Sequence, residues 1–334
     1  MAIKTQITTN LDYDKPGKQQ GYLRLPYSDN QAGWANIFIP ITVVNNGRGP
    51  TLLATGATHG DEFEGCVALM KLARQLQPEQ VQGRVIIIPA LNLPALRAGT
   101  RLSPIDGRNL NRAFPGAYND TTTGLIAHYV SSVLFPLADV VMDIHSGGRS
   151  MIFVPCTNLH RVPDDAQFEK MLAAAKAWGT RYAFIYTDIA GEGLLPVEAE
   201  RMGKLVVTTE MGGAGQCDPA VLRIAETGIR NVMIHIGLLD GPLQSQPHQV
   251  EVIAATSQDD YHFSPADGLY ESFLEVGARV KQGQPLGQVH FPERYDRPPE
   301  PIIARSSGLL VCRRFPANIR QGDCAAVVAR PFQV

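Results

Sequence analysis

The stretch that decides the fold lies between residues 51 and 77 and reads TLLATGATHGDEFEGCVALMKLARQLQ. Its first seven residues are apolar, small or β-branched, which predicts a buried strand. From residue 62 onward, apolar side chains recur near helical spacing. Only the polar segment THGDE separates the two patterns. The stretch therefore predicts a strand, a short polar loop and a helix.

The same alternation continues along the chain. Further predicted strands are residues 36–44, 84–92, 138–146 and 204–213. Further predicted helices are residues 121–135, 164–179 and 219–237. Strands that alternate with amphipathic helices indicate an α/β domain, with a mostly parallel sheet flanked by helices.

The sequence pattern changes near residue 250, where short β-like runs interrupted by Gly and Pro replace the predicted helices. Residues 266–289 and 305–328 form a weak internal repeat, in which Gly268 aligns with Gly308. Two similar β units are expected to close one small barrel or sandwich. The predicted domains are therefore residues 1–249, an α/β domain, and 250–334, an all-β domain.

Length and charge limit the classes of protein. A chain of 334 residues suits two domains, because single cores stop growing near roughly 250–300 residues. The formal net charge of -2 gives no general attraction for nucleic acid. No apolar run reaches the ~18 residues of a membrane span, and the N-terminal sequence lacks the apolar core of a signal peptide. We expect a cytoplasmic protein without membrane partners; a homo-oligomer is compatible with this sequence.

Residues that bind metals follow two of the predicted strands. His59 and Glu62 come directly after the first strand quoted above, and the His-x-x-Glu spacing lets both side chains reach one ion. His145 stands at another strand end, and Asp143 on the same strand face can orient its imidazole. Two histidines and one glutamate leave a fourth position of tetrahedral zinc open, as in catalytic zinc sites.

A third strand end offers a general base. Glu210 follows an apolar and hydroxyl-bearing run, and burial there would raise the pKa of its carboxyl group toward a useful range. Taken singly, Glu210 also fits a helix cap or an ion pair, and His145 fits a strand end packed on a loop. The occurrence of such side chains at three strand ends favours a site, since ligands of α/β sheets gather there.

A loop of unusual length supplies cations between residues 92 and 123. Long connections in compact domains are usually functional. Guanidinium groups bind carboxylates bidentately and stabilise oxyanions. The candidate side chains are Arg97, Arg101, Arg108 and Arg112, interleaved with Asn109 and Asn111.

Four motifs in this order resemble the succinylglutamate desuccinylase and aspartoacylase family, which has a zinc carboxypeptidase-like fold. They are GATHGDEFEG (56–65), DGRNLNRAFPG (106–116), DIHSGG (143–148) and TEMGG (209–213). The resemblance covers residues from about 50 to 240. It implies a hydrolase that deacylates a small N-acyl amino acid.

The resemblance also implies roles for individual residues. One zinc ion per chain would be held by His59, Glu62 and His145. Glu210 would activate the water and later protonate the leaving amine. The pair Asn111 and Arg112 would receive the substrate carboxylate.

The oxyanion-stabilising arginine is harder to place by resemblance, because the loop is longer here than in the family. Arg101 is the first choice for this role. Arg108 is the second choice and is also a candidate for substrate binding.

The C-terminal repeat resembles a biotinyl/lipoyl-type domain, whose cofactor is carried by a lysine between the two halves. The corresponding segment, VHFPERYDRPPEPII (289–303), contains no lysine. A carrier function is therefore excluded, and we expect this domain to shape or cover the mouth of the active site.

Within the family, the chain looks most like bacterial members that deacetylate N-acetyl-2,4-diaminobutyrate during ectoine breakdown. Two alternatives stay open from the sequence. One is a zinc carboxypeptidase that acts on short or modified peptides. The other is a noncatalytic protein that senses amino acids in a metal-dependent way.

Overall fold

The structure, a computed structural model, describes residues 4–187, 192–244 and 249–333. Within these ranges the helices are α1 Glu64–Gln75, α2 Leu93–Ala98, α3 Thr122–Tyr129, α4 Phe135–Leu137, α5 Asp165–Trp178, α6 Leu195–Arg201 and α7 Pro219–His235. A π-helical turn, Val130–Leu134, joins α3 to α4. None of the described helices is both long and apolar enough to cross a membrane.

The strands form one large sheet and one small antiparallel sheet. Those of the first 255 residues are β1 Gly17–Tyr27, β2 Ala35–Asn45, β3 Thr51–Gly56, β4 Arg84–Ile88, β5 Val140–His145, β6 Met151–Phe153, β7 Cys156–Leu159, β8 Tyr182–Tyr186, β9 Leu205–Glu210 and β10 Glu251–Ala255. Those that follow are β11 Tyr261–Phe263, β12 Gly268–Ser272, β13 Arg279–Val280, β14 Pro285–His290, β15 Glu300–Ile303, β16 Gly308–Arg314, β17 Asn318–Ile319 and β18 Cys324–Pro331.

The centre of the large sheet is parallel. Strands β4, β3, β5 and β9 lie side by side in the same direction. A second parallel group, β7, β8 and β10, joins β9 through an antiparallel pairing of β7 with β9. The prediction of a mostly parallel sheet flanked by helices is confirmed.

Both faces of the central strands are buried. Along β5, Val141 belongs to one hydrophobic core, whereas Val140 and Met142 belong to another. Alternate side chains of a strand point to opposite faces, so each core covers one face of the sheet. This explains why the central strands read as continuous apolar runs rather than as alternating patterns.

Some elements differ from the sequence prediction. The helix predicted from residue 62 begins at Glu64, so Glu62 lies in the loop before it. The long loop contains the short helix α2 and a 3-10 turn, Leu110–Arg112. Strand β1 was not predicted, because its polar start, GKQQ, lacks the apolar pattern of a buried strand.

The C-terminal region is a two-sheet sandwich, as predicted. Strands β15, β14, β12 and β17 form the small sheet, and β18, β16 and β13 form the opposite wall. One apolar core contains side chains from both walls, among them Tyr270 and Leu310. The internal repeat is visible as two equivalent units, because Gly268 pairs with Ile319 of β17 and Gly308 pairs with Val280 of β13.

The large sheet continues across the predicted boundary between residues 249 and 250. Strand β10 pairs in parallel with β8 and also contacts β18. The division into 1–249 and 250–334 therefore stays a proposal, with β10 belonging to the large sheet. A second connection, the pairing of β16 with β6, ties the sandwich to the α/β region.

Candidate metal centre and active site

The predicted site residues meet at one edge of the large sheet. Strands β3, β5 and β9 are parallel neighbours, so their carboxyl ends lie together. His145 and Glu210 are directly opposite each other in the register of β5 and β9. The loop that follows β3 brings His59 and Glu62 to the same edge.

A close approach of α1 to β5 makes this convergence possible. A Cβ atom on Gly65 would lie 2.6 Å from the Cβ of Ile144, a distance that real side chains do not adopt. Glycine at position 65 therefore lets the first turn of α1 rest on the end of β5. As a result, Glu62, just before the helix, reaches His145, just after Ile144.

Three buried side chains form a cluster that can hold a metal ion. Their candidate ligand atoms all lie within 4.8 Å of one another. The Glu62 carboxylate stands between the two rings, 2.7 Å from His59 Nδ1 and 2.8 Å from His145 Nδ1. Each of the three residues is at least nine-tenths buried. The donor set of two imidazole nitrogens and one carboxylate fits a zinc site with an open position.

The other nitrogen of each histidine is held by a second partner. His145 Nε2 lies 2.7 Å from Asp143, whose carboxylate also accepts hydrogen bonds from Thr55 and Thr58. The role suggested for Asp143 thus agrees with its position. His59 Nε2 lies 3.1 Å from Asn109 Oδ1.

The sequence analysis noted Asn109 in the loop but did not predict its contact with His59. The same Asn109 oxygen accepts a hydrogen bond from the backbone N–H of Asn111, at 2.9 Å. One side chain therefore connects a candidate metal ligand with the predicted carboxylate-binding pair. The available signal was the position of Asn109 two residues before Asn111. Its contact with His59 could not be predicted, because fifty residues separate the two in sequence.

The electrostatics of the cluster favour a cation. Burial alone would raise the pKa of Glu62, but the charges of His59 and His145 hold it well below its usual range. Burial lowers the pKa of His59, which favours the neutral ring that binds metals. Burial would also lower the pKa of His145, but Asp143 and Glu62 raise it well above its usual value. A ring between two carboxylates is thus a strong cation-binding position.

Glu210 has the environment expected of a general base or acid. Burial, and then the charge of Glu62, raise the pKa of Glu210 from 4.5 to about 8. Its Oε2 atom is buried and has no hydrogen-bond partner among the residues that the structure describes. Glu210 lines the same pocket as the three candidate metal ligands.

The structure brings some of the predicted polar loop residues into this pocket. Arg101, Asn111 and Arg112 line it, and Arg101 Nη1 lies 3.6 Å from Glu62 Oε1. The Asn111 side-chain oxygen accepts a hydrogen bond from the backbone N–H of Leu195, which fixes the side chain beside the pocket.

Arg108 is not brought into the pocket. Its guanidinium donates hydrogen bonds to Asp120 at 2.6 Å and to Thr121 at 3.0 Å. Arg108 is also absent from the described residues that line the pocket. The geometry therefore favours Arg101 over Arg108 near the metal centre and does not support the predicted substrate contact of Arg108.

Part of the pocket wall depends on the C-terminal sandwich. Met151 and Phe153 of β6 line the pocket, and Phe153 pairs with Cys312 of β16. Loss of β16 would leave β6 unsupported on that side. The sandwich thus supports the pocket through the strand pairing of β16 with β6.

A buried His-Glu-His cluster that can hold a metal ion and a half-buried glutamate lie together at the ends of adjacent parallel strands, an arrangement typical of metal-dependent hydrolases. Residues 48–236 match the catalytic domain family of succinylglutamate desuccinylase and aspartoacylase. Together with a curated relative 42% identical over 97% of the chain, this match shows that the chain belongs to that family.

Several relatives are similar over nearly their whole length. The curated relative, from Halomonas elongata, is named N-alpha-acetyl-L-2,4-diaminobutyric acid deacetylase, and the match covers 94% of it. The product-bound ectoine utilization protein EutE (DoeB) from Ruegeria pomeroyi is 43% identical, with a TM-score of 0.95 over 98% of this chain and 99% of that one. A succinylglutamate desuccinylase/aspartoacylase from Rhodobacter sphaeroides is 39% identical, with a TM-score of 0.95 over 99% and 100%.

These findings confirm the predicted family, fold class and enzyme class. The site can hold a metal ion, whereas the identity of that ion and the role of each site residue stay proposals. The predicted cytoplasmic location and the oligomeric state also stay predictions.

Proposed function

We propose that this protein is a zinc-dependent deacylase of small N-acyl amino acids, with N-acetyl-L-2,4-diaminobutyrate as the first candidate substrate. The observation that carries this proposal is the placement of Glu210 beside the buried cluster of His59, Glu62 and His145. When bound, zinc supplies a Lewis acid that lowers the pKa of a water molecule and polarises the acyl carbonyl.

The protein's own residues would move the protons. Glu210, with its pKa raised to about 8, is basic enough to take a proton from the attacking water at its carboxylate oxygen. The same carboxyl group would return a proton to the nitrogen of the leaving amine. One residue thus serves as base and then as acid.

Two arginines would carry out the remaining tasks, which are oxyanion stabilisation and substrate binding. Arg101 lies beside Glu62 and would stabilise the negative charge that develops on the acyl oxygen. Arg112 and the amide of Asn111 would hold the α-carboxylate of the substrate. Asn109 would fix the position of the carboxylate-binding pair relative to the metal centre, because it contacts both His59 and Asn111.

The size of the pocket and the relatives support a small substrate. The cavity measures about 140 Å³, below the range of ~300–1,000 Å³ that holds drug-sized ligands. An N-acetylated amino acid suits this space better than an extended peptide. The relatives named for diaminobutyrate deacetylation and for ectoine utilization match almost the full chain.

A substrate panel tests the proposal. Acetate or succinate release would be measured from N-acetyl-2,4-diaminobutyrate, N-acetylaspartate, N-succinylglutamate and short peptides, before and after chelation and zinc addition. We expect zinc-restored release from N-acetyl amino acids. Cleavage of peptides alone would indicate a carboxypeptidase, and metal binding without any turnover would indicate a sensor.

A further inference from the structure

Asp61 lies between two candidate metal ligands in the chain, but the proposed reaction gives it no task. It is 5% exposed and belongs neither to the His-Glu-His cluster nor to the described lining of the pocket. Its Oδ1 atom is buried and has no hydrogen-bond partner in the described part of the chain. A buried carboxylate with one unpaired oxygen costs stability, so its place here calls for an explanation other than packing.

The other oxygen of Asp61 ties together the two loops that carry the candidate ligands. Asp61 Oδ2 accepts a hydrogen bond from the backbone N–H of Arg149, at 2.8 Å. Glu62 Oε2 accepts one from the backbone N–H of Ser146, at 3.1 Å. Two consecutive acidic side chains of the loop after β3 thus bind the main chain of the loop that follows His145.

The backbone of that second loop leaves room for the carboxylate. Gly148 has a φ of +55°, in the left-handed region that favours glycine. A Cβ atom on Gly148 would lie 2.5 Å from Asp61 Oδ2, closer than real side chains come. The bond between Asp61 and Arg149 therefore requires that position 148 carry no side chain.

A third segment, which contains Arg101, is attached at the same place. The backbone N–H of Gly60 donates a hydrogen bond to the carbonyl oxygen of Thr100, at 3.0 Å. The side chain of Arg149 reaches this segment, since its Nη2 atom would lie 2.8 Å from a Cβ atom on Gly99. The loop of Asp61 thus meets the segment that holds the arginine proposed to stabilise the oxyanion.

We infer that Asp61 is a positioning residue that sets the geometry of the metal centre by joining the loop of His59 and Glu62 to the loop after β5. This inference rests on the proposed zinc site and assigns no atom of Asp61 to the metal. Ligands must be held to within roughly 0.5 Å of the productive geometry, and hydrogen bonds behind them supply that precision. Zinc affinity therefore depends on the bond between Asp61 and Arg149.

The test measures zinc affinity by competition with a chelator, together with denaturant unfolding of the zinc-free protein. Asp61→Ala removes the acceptor and should lower zinc affinity about tenfold or more. Asp61→Asn keeps an acceptor oxygen of the same reach and should retain most of the affinity. Unchanged affinity in Asp61→Ala, or an equal loss in Asp61→Asn, would overturn the inference.

Asp139→Ala is the matched control, because Asp139 makes the corresponding bond at the opposite edge of the same strands. Asp139 Oδ2 accepts a hydrogen bond from the backbone N–H of Thr51, also at 2.8 Å. Thr51 begins β3 and Asp139 directly precedes β5, so this bond joins the amino ends of the two strands. Asp139→Ala should weaken folding but leave zinc affinity unchanged. A loss of affinity as large as that of Asp61→Ala would show that general destabilisation explains both, and would overturn the inference.

Gly148→Ala reaches the same bond from the other side and decides the matter if Asp61→Ala does not fold. Its methyl group would displace the Asp61 carboxylate and should also lower zinc affinity about tenfold or more. Gly203→Ala is its control, since Gly203 has a φ of +72° but no described neighbour within 4 Å of a Cβ atom placed there. Equal affinities in these two variants would contradict the inference. A wild type that binds no zinc would instead remove the proposed function, and the inference with it.

Discussion

Two regions of the molecule use close backbone contacts for different purposes. One is the catalytic edge, formed by the ends of β3, β5 and β9. The other is the C-terminal repeat, residues 266–289 and 305–328. In the repeat, a Cβ on Gly268 or Gly308 would lie 2.2 Å from a backbone carbonyl oxygen of the neighbouring strand. These contacts close a sandwich around an apolar core. At the catalytic edge, the contact at Gly65 instead brings ionisable side chains together.

The two regions also use polar groups for different purposes. In the repeat, equivalent turns are closed by equivalent bonds: the N–H of Gln282 donates to Ser307, and that of Gln321 donates to Asp267. In the pocket, Glu210 Oε2 is buried and has no partner in the described residues. A buried polar atom without a partner costs stability, and because Glu210 also lines the pocket with the candidate metal ligands, a ligand there can complete its pairing.

The largest expected effect concerns the centre of the catalytic edge. Glu62→Gln removes the charge between the two histidines, so we expect metal affinity to fall more than the ~10–100-fold typical of an outer hydrogen-bonding partner. Turnover should be lost with the metal. Metal content after dialysis and acetate release are the measurements.

Glu64→Gln is the matched control for that experiment. Glu64 is also buried and stands two residues away, but it lies outside the cluster. The Glu64→Gln variant should therefore keep its metal. Equal metal loss in the two variants would show that burial near α1, rather than ligation, explains the result.

The next prediction tests whether Asn109 acts on the metal centre or only stabilises the loop. Asn109→Ala removes the acceptor of His59 Nε2 and should lower metal affinity ~10–100-fold. It should also raise KM, because the contact with Asn111 is lost. Asn109→Asp keeps the acceptor and should retain most of the metal affinity in a competition titration with a chelator. Unchanged affinity in Asn109→Ala would contradict the assigned contact.

A paired substitution tests how far the repeat influences the catalytic edge. Gly268→Ala and Gly308→Ala introduce the same 2.2 Å contact, and each should destabilise the protein by about 1–3 kcal/mol in denaturant unfolding. Of the two strands that begin at these glycines, β12 and β16, it is β16 that pairs with the pocket strand β6. We therefore expect Gly308→Ala to raise KM, with Gly268→Ala as its control. Equal KM values would mean that the sandwich does not shape the pocket.

The smallest effect is a pH dependence within the sandwich. Burial, and then Arg305, lower the pKa of His262 below 6.5, and its Nε2 accepts a hydrogen bond from the Arg305 N–H. The unfolded chain therefore binds the proton more strongly. The contribution of His262 to stability is complete above pH 6.5 and is lost as pH falls through the lower folded-state pKa.

His262→Gln keeps an acceptor but does not titrate. Its melting temperature should fall less than that of the wild type between about pH 7.5 and about pH 5. Parallel curves for both proteins would show that His262 carries no such dependence.

Much of the catalytic edge could be predicted because its signals are local. His59, His145 and Glu210 each follow an apolar strand, and parallel strands place such ends together. The fold followed from the alternation of strands and helices for the same reason. The repeat was visible because Gly268 and Gly308 occupy equivalent positions in two short units.

The rest depends on contacts between distant segments. Asn158, which lines the pocket, was not predicted, since CTNL is too short for a strand pattern and its partner Thr208 lies fifty residues later. The pairing of Arg108 with Asp120 removed the second of the two candidate arginines, and the loop sequence alone does not reveal this contact. Contacts of this kind require the folded chain.

The most direct test of the central claim, a zinc site served by Glu210, is zinc add-back to the chelated wild type and to Glu210→Gln, with bound zinc and acetate release measured together. We predict one zinc per chain in both proteins, with turnover lower in Glu210→Gln by about 10²–10⁴-fold. Equal turnover in the two proteins, or wild-type turnover without bound zinc, would contradict the account.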